Sequence, residues 1–134
     1  MFCSVVSGET DAVRVLASES VVAFLDRSPV FKGHVLVVPH AHVPTLEHLP
    51  ADAIAEYFGV VQRVAVAVQH ALGADGTFVA INNTVSQSVP HLHTHVVPRR
   101  RKDGLRGFFW PRQKYVDSAE MDSFGALISD ALRT

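Results

Sequence analysis

The stretch that organises this chain lies at residues 91–98 and reads His91-Leu92-His93-Thr94-His95-Val96-Val97-Pro98. Successive side chains of a β-strand point to opposite faces, so the three histidines would share one face and the residues between them the other. Clustered titratable side chains usually mark a functional site. The pattern therefore predicts a strand over 91–97 that holds three imidazoles about 7 Å apart on one rigid surface.

Three chemistries are open to such a row of imidazoles. The ring can ligate a metal, act as a general acid or base, or attack as a nucleophile through an unprotonated nitrogen. Taken alone, the triplet favours a metal site, and a metalloenzyme with His91, His93 and His95 as ligands is one hypothesis. It is disfavoured because no Asp, Glu or Cys lies close by in sequence to complete a familiar ligand set.

The rest of the chain predicts strands and helices around this strand. Short β-rich runs occupy 13–17, 21–25, 34–38 and 77–81, and apolar residues recur at helical spacing over 51–72 and 118–132. Pro50 and Gly73 suit the two ends of the long helix, and Asp117 or Ser118 suits the start of the last one. This order predicts one α+β domain over 1–134, with an antiparallel sheet, one long helix and a C-terminal helix.

Composition limits the classes of protein to which the chain could belong. It has 134 residues, of which 48% are hydrophobic and 19% charged, with a formal net charge of −1. This is too apolar for a disordered protein and too balanced to attract nucleic acid or an anionic membrane. Cys3 is the single cysteine, and no apolar run approaches the roughly 18 residues of a membrane span. We expect a cytoplasmic protein with no nucleic-acid or membrane partner.

Basic and aromatic residues are concentrated near the C-terminus. Seven of the twelve Lys and Arg residues lie between 99 and 114, with Asp103 as the acid among them. The segment 99–102 either steers polyphosphate toward the site or forms a solvated loop. The stretch 108–111, Phe-Phe-Trp-Pro, suits a dimer contact or burial within the same chain.

The motifs around the triplet resemble one known family. Gln87-Ser88-Val89-Pro90 precedes it, Asn82-Asn83 follows the preceding strand, and Gly33-His34-Val35-Leu36-Val37-Val38-Pro39 lies upstream. Together, over about residues 2–98, they resemble the histidine triad (HIT) superfamily of nucleotide hydrolases and transferases. The resemblance implies a HIT-like fold, with the sheet extended across a twofold homodimer.

The resemblance also implies a mechanism. His93 would attack the α-phosphorus of a purine nucleotide conjugate, and water would cleave the covalent nucleotidyl-histidine to release a nucleoside monophosphate. His91 would support His93 through its backbone carbonyl, His95 would bind the phosphate, and His34 would pack behind His91. The substrates implied are phosphoramidates or dinucleoside polyphosphates, and the chemical step needs no cofactor.

Further positions match the nucleotide contacts of the family. Asp26 matches the ribose contact, Ser88 the hydroxyl near phosphate and leaving group, and Gln87 with Asn82 or Asn83 the phosphate loop. The base would rest in an apolar slot formed by Phe2, Val5 and Phe24. Two features depart from the family pattern: Arg27 replaces the usual apolar residue after Asp26, and Thr84-Val85-Ser86 replaces glycines.

Two further hypotheses remain open beside the hydrolase. Many relatives bind structural zinc, and Cys3, His42 and His91 are the matching ligands here; three ligands make a poor closed site, so zinc is the less favoured interpretation. The second hypothesis is a nucleotide-binding or interaction protein with little turnover.

Overall fold

The computed structural model describes Phe2, Val5, Gly8 and residues 11–105 and 112–133. The chain forms two compact units, Met1–Asp103 and Gly104–Thr134. The first contains the triplet, and the second contains a helix. That one domain spans the whole chain stays a prediction.

A five-stranded antiparallel sheet forms the first unit. Its strands are β1 (Arg14–Ala17), β2 (Val21–Leu25), β3 (Val35–Pro39), β4 (Gly76–Ile81) and β5 (Thr94–Arg99), in the spatial order β1-β2-β3-β5-β4. Each neighbouring pair is antiparallel. The predicted α+β class with an antiparallel sheet is confirmed.

The long helix α1 (Ile54–Leu72) packs on one face of the sheet. Its buried side chains are Tyr57, Val60, Val61, Val64 and Val68, at the three- and four-residue steps that the sequence shows. Residues Ala51–Ala53, predicted as its first turn, form a separate 3-10 helix. Gly73 ends α1 in the left-handed conformation at φ 60°, which suits glycine at this position.

Strands β2 and β3 are buried on both faces, and they read as continuous apolar runs for that reason. The first face meets α1. On the second face, Phe2 and Val5 pack with Val22, Phe24, Leu36 and Val38. This second face carries the candidate site.

A hydrogen-bonded tyrosine ties α1 to the strand that carries the triplet. The Tyr57 hydroxyl donates to the Val37 carbonyl at 2.8 Å and lies 2.6 Å from the Thr94 hydroxyl. Since Tyr57 has a single proton to donate, the Thr94 hydroxyl donates to the tyrosine oxygen. Thr94 lies between His93 and His95, so this buried pair holds their backbone against the core.

The second unit contains helix α2 (Ser118–Leu132), which covers the predicted C-terminal helix. Asp117 is its N-cap, and its carboxylate accepts the Glu120 amide at 2.9 Å. No helix among the described residues is long and apolar enough to span a bilayer. The predicted aromatic contact at 108–111 lies outside the described residues.

Candidate active site

The antiparallel register sets an apolar wall beside the third histidine. Phe24 of β2 pairs with Leu36 of β3, and Leu36 pairs with His95 of β5. Cross-strand partners point to the same face of a sheet, and neighbouring strands lie about 4.8 Å apart. An aromatic surface and the imidazole of His95 therefore lie on one face, about two strand spacings apart.

The predicted strand over 91–97 is wrong at its start. Strand β5 begins at Thr94, because the amide of Leu92 donates to the Val43 carbonyl at 2.7 Å instead of joining the sheet. The side chains nevertheless alternate. Leu92 and Val96 lie in the core beneath α1, while the ring of Phe2 contacts His91 and His93 on the opposite side, with centroids 6.1 and 4.8 Å away.

The middle histidine has a defined tautomer. Nδ1 of His93 lies 2.7 Å from the backbone carbonyl of His91. A carbonyl only accepts, so Nδ1 carries the proton and donates it. In the uncharged form of the ring, the lone pair is therefore on Nε2. This is the arrangement that a nucleophilic imidazole requires.

A chain of hydrogen bonds also defines the tautomer of His95. The Val30 amide donates to Nδ1 of His34 at 3.1 Å, so the proton of neutral His34 is on Nε2. That nitrogen lies 3.0 Å from Nδ1 of His95 and donates to it. His95 therefore carries its own proton on Nε2. His34 was expected behind His91, but its ring lies against His95, with centroids 5.2 Å apart.

Burial favours the neutral form of His34, His91 and His95. It lowers the pKa of His95 to about 4, helped by the neighbouring His93 and His34 rings. Burial also lowers the pKa of His34, which the nearby Asp26 carboxylate opposes, and that of His91. At neutral pH, His95 therefore offers an uncharged N–H donor rather than a cation.

The protonation pattern also tests the metal hypothesis. Nitrogen and oxygen atoms of Asp26, His34 and His95 lie within 4.8 Å of one another, a group that could surround an ion. A metal-binding histidine normally donates its second nitrogen to an acceptor, whereas Nδ1 of His34 faces the Val30 donor. In the triplet, His91 and His93 each donate one nitrogen to a backbone carbonyl, as such ligands do. His95 departs from this pattern, because its Nδ1 accepts from His34 and its Nε2 carries the proton.

The residues expected to hold the base line one pocket. A cavity of about 740 Å³ is bounded by Phe2, Val5, Phe24 and Leu36, and its rim includes Asp26 and Arg27. The rings of Phe2 and Phe24 meet edge to face at 5.8 Å. Asp26 lies between this pocket and the histidines: one carboxylate oxygen is 3.7 Å from Nε2 of His34, and the other accepts the Ser28 amide at 2.9 Å.

The loop at 82–90 is tied to residues 44–46 by two of its predicted phosphate-loop side chains. Asn83 accepts the Leu46 amide at 2.8 Å, and the Gln87 amide donates to the Pro44 carbonyl at 2.6 Å. Asn82 and Ser88 are exposed. Of the two asparagines, Asn82 is thus the one whose side chain is not tied to Leu46. The positive φ angles of Thr84 and Ser86, 69° and 61°, show that the loop keeps a glycine-like path without glycine.

The structure describes two of the three predicted zinc ligands, His42 and His91. The His42 and His91 rings meet edge to face at 4.8 Å, and Cys3 lies outside the described residues. Structural zinc here stays a prediction.

In the basic segment 99–102, the side chains of Arg99 and Arg100 form hydrogen bonds within the protein that the sequence did not predict. Arg99 forms a two-pronged ion pair with Asp103, at 2.6 and 3.0 Å. Arg100 donates to the last carbonyls of α1, those of Leu72 and Gly73. Neither a free steering patch nor a fully solvated loop describes these two side chains. Arg101 and Lys102 are exposed.

Two contacts of the candidate site were missed from the sequence. Leu36 lies two residues after His34, and this alternation could have identified it as a wall of the pocket. The Val30 amide had no sequence signal, because a backbone donor is positioned only by the loop that carries it.

Comparison with known sequences places this site in a family. Residues 7–102 match the model of the HIT domain. An uncharacterised HIT-like protein of Mycobacterium tuberculosis is 37% identical over 107 residues, covering 78% of this chain and 74% of its own. An adenylylsulfatase of Arabidopsis thaliana is 31% identical over 78% of this chain and 54% of its own. An adenosine 5'-monophosphoramidase of Schizosaccharomyces pombe is 29% identical over 99% and 98%.

Comparison with solved structures also finds proteins of similar fold. A Streptococcus mutans protein superposes with a TM-score of 0.89 at 32% identity, covering 98% of this chain and 84% of that one. A histidine triad family protein of Mycobacterium smegmatis, described as zinc-bound, has a TM-score of 0.73 at 35% identity over 96% and 95%. With its matched segment, its sheet and its three neighbouring imidazoles, the chain belongs to the HIT superfamily.

Proposed function

We propose that this protein hydrolyses purine nucleotide conjugates at the α-phosphate through a covalent intermediate on His93. The observation that carries the proposal is the 2.7 Å hydrogen bond from Nδ1 of His93 to the His91 carbonyl. In the uncharged form of this buried ring, that bond leaves a nucleophilic lone pair on Nε2. The base pocket and Asp26 lie on the same face of the sheet, where a nucleoside would present its α-phosphate to that ring.

We propose the following steps, which these positions support. Nε2 of His93 attacks the α-phosphorus, a P–N bond forms, and the bond to the leaving group breaks with its electron pair. The leaving group is protonated as it departs, with the Ser88 hydroxyl as the proposed nearby donor. Water then attacks phosphorus and returns one proton to the Ser88 oxygen, the P–N electron pair returns to Nε2, and a nucleoside monophosphate is released. The Nε2–H of His95 donates to a phosphoryl oxygen as charge develops there.

The relatives support this chemistry at the level of the bond that is cleaved. The names adenylylsulfatase and adenosine 5'-monophosphoramidase describe different leaving groups, sulfate and amine, on one adenylyl group. We propose phosphoramidates and dinucleoside polyphosphates as substrate classes. No metal or organic cofactor enters the proposed step.

A trapping experiment tests the proposal. Nucleoside phosphoramidates labelled at the α-phosphorus are mixed with enzyme and quenched, and protein-bound label is measured. We expect label on the parent, and its loss in His93→Ala together with a fall in kcat of at least about 10³-fold. His70→Ala, which changes an exposed histidine of α1, is the matched control.

Three outcomes would contradict the proposal. Equal activity of His93→Ala and the parent would show that His93 is not the nucleophile. Tight nucleotide binding without turnover by the parent would favour a binding protein. Activity lost in proportion to metal extracted by a chelator would favour a metalloenzyme.

We also propose a twofold homodimer that extends the sheet through β4. Both β1 and β4 are edge strands, and an exposed edge presents backbone groups ready to pair. The register of β1 is interrupted between Arg14 and Leu16, which blunts that edge. The edge strand β4 is six residues long and pairs regularly with β5, and Val79 is 45% exposed. A second copy of β4 is the partner that fits this edge.

A further inference from the structure

We propose that Arg27 makes the base pocket selective for 6-oxopurines, and hence for guanine over adenine. This inference rests on the proposed nucleotide function. Arg27 lines the same cavity as Phe2, Val5, Phe24 and Leu36.

The backbone register fixes where Arg27 lies. The amide of Leu25 donates to the Val13 carbonyl at 3.0 Å, which aligns the end of β2 with the chain before β1. Arg27 follows Leu25 by two residues, and Asp11 precedes Val13 by two. An Nη atom of Arg27 donates to the Asp11 carbonyl at 3.1 Å. This contact holds the guanidinium at the pocket rim while using one of its five N–H groups.

The walls of the pocket do not distinguish bases. Phe2 and Phe24 offer apolar and aromatic surface, against which any purine stacks. Asp11 and Asp26 are the acids on the rim, and Asp26 is already assigned to the ribose. A carboxylate there can accept from the 6-amino group of adenine or from the N–H groups of guanine, so the test must isolate what the donor Arg27 contributes.

A guanidinium distinguishes the two purines by their Hoogsteen edges. Guanine presents adjacent acceptors, O6 and N7, which match the fork of an arginine. Adenine presents N7 beside a 6-amino donor, which would face another donor. Hypoxanthine has the same O6 and N7 as guanine, so inosine conjugates should behave as guanosine conjugates do.

The test compares guanosine, inosine and adenosine 5'-phosphoramidates, which share one leaving group. For the parent we expect kcat/KM to be at least about fivefold higher for the two 6-oxopurines than for adenosine. In Arg27→Leu the three values should converge. Lys32→Leu removes an exposed cation from the same loop, outside the pocket, and should keep the parent's ratio. The ratio is the readout because loss of charge alone would weaken all three substrates alike.

Binding separates this inference from the proposed catalysis. Dissociation constants of GMP, IMP and AMP are measured by calorimetry on His93→Ala and on His93→Ala with Arg27→Leu. A preference for GMP and IMP that the second substitution removes supports the inference even if the parent shows no turnover. Equal binding of GMP and AMP by His93→Ala, or a preference that survives Arg27→Leu, overturns it.

Discussion

At the scale of single residues, the site depends on which nitrogen of each imidazole carries the proton. Carbonyl acceptors at Pro39 and His91 define His91 and His93, and the Val30 amide defines His34 and, through it, His95. Each ring is thereby held in one tautomer with one orientation. Because three of these rings also have lowered pKa values, the site is organised as neutral donors and acceptors rather than as cations.

We propose that His34 positions His95 through the hydrogen bond between their rings. In His34→Leu, Nδ1 of His95 loses its donor, and the ring can place its proton on either nitrogen. We expect kcat to fall about 10²-fold with little change in KM. His34→Gln keeps an amide N–H near the Nε2 position and should recover much of the activity.

Nitrogen-15 NMR of His95 checks the cause of that loss. The parent and His34→Gln should show an unprotonated Nδ1 and a protonated Nε2 on His95, and His34→Leu a mixture of tautomers. A leucine variant with the parent's spectrum and kcat would contradict the role of His34.

Stability should depend on pH through the same rings. The pKa of His95 is about 4 in the folded protein, against 6.5 for an ordinary histidine, so below pH 6.5 the unfolded chain binds more protons. The free energy of unfolding should therefore fall as the pH drops from 6.5 toward 4. His34 and His91 act in the same direction.

Urea denaturation at pH 7, 5.5 and 4.5 measures this slope. His95→Asn should make it shallower, because one proton fewer is taken up on unfolding. His70→Asn, at an exposed position of α1, is the control. An unchanged slope in His95→Asn would contradict the assigned cause.

At the scale of elements, the 26–34 connection between β2 and β3 carries much of the site. It begins at Asp26, whose amide donates to the His34 carbonyl at 2.9 Å, and it contains the Val30 donor. Gly33 allows its path, with a φ of 101° that L side chains rarely adopt. Rigid strands thus set the row of Phe24, Leu36 and His95, whereas this loop sets the tautomers of His34 and, through it, of His95.

Gly33→Ala should damage both fold and site. A Cβ there would lie 2.3 Å from Cδ1 of Leu72, and the positive φ adds backbone strain. We expect a loss of about 1–3 kcal/mol in the free energy of unfolding, with lower activity because His34 follows directly. Gly59→Ala in α1 meets no atom within 4 Å and should stabilise by about 0.5–1 kcal/mol. Urea titration of both variants measures their free energies of unfolding. Equal changes in the two variants would contradict the role of the Gly33 conformation.

At the scale of the whole molecule, the proposed dimer depends on the β4 edge. Val79→Lys adds an exposed charge to that edge without touching the described site. We expect sedimentation to show a dimer for the parent and a shift toward monomer for the variant. Thr77 of β4 is less exposed, and Thr77→Val is a neutral control. A parent that sediments as a monomer at micromolar concentration would contradict the dimer.

Much of the architecture was predictable because it follows from local periodicity. The alternation over 91–97 and the helical repeat over 51–72 both depend on a few neighbouring residues. The start of β5 was not predictable, since Leu92 pairs with Val43, a residue distant in sequence. Arg100 was misjudged for the same reason, because it bonds to the distant end of α1, whereas Arg99 pairs with Asp103 only four residues away.

The sequence by itself determined the fold class and the family and identified which histidines form the candidate site, since spacing and residue type are local properties of the chain. Tertiary structure alone decided the protonation of His34, His91 and His95, the neighbour of His34 and the position of Arg27 at the pocket rim. The physical reason is that a tautomer or a pKa depends on donors, acceptors and burial supplied by other segments, here the backbone of Pro39, Val30 and Asp11.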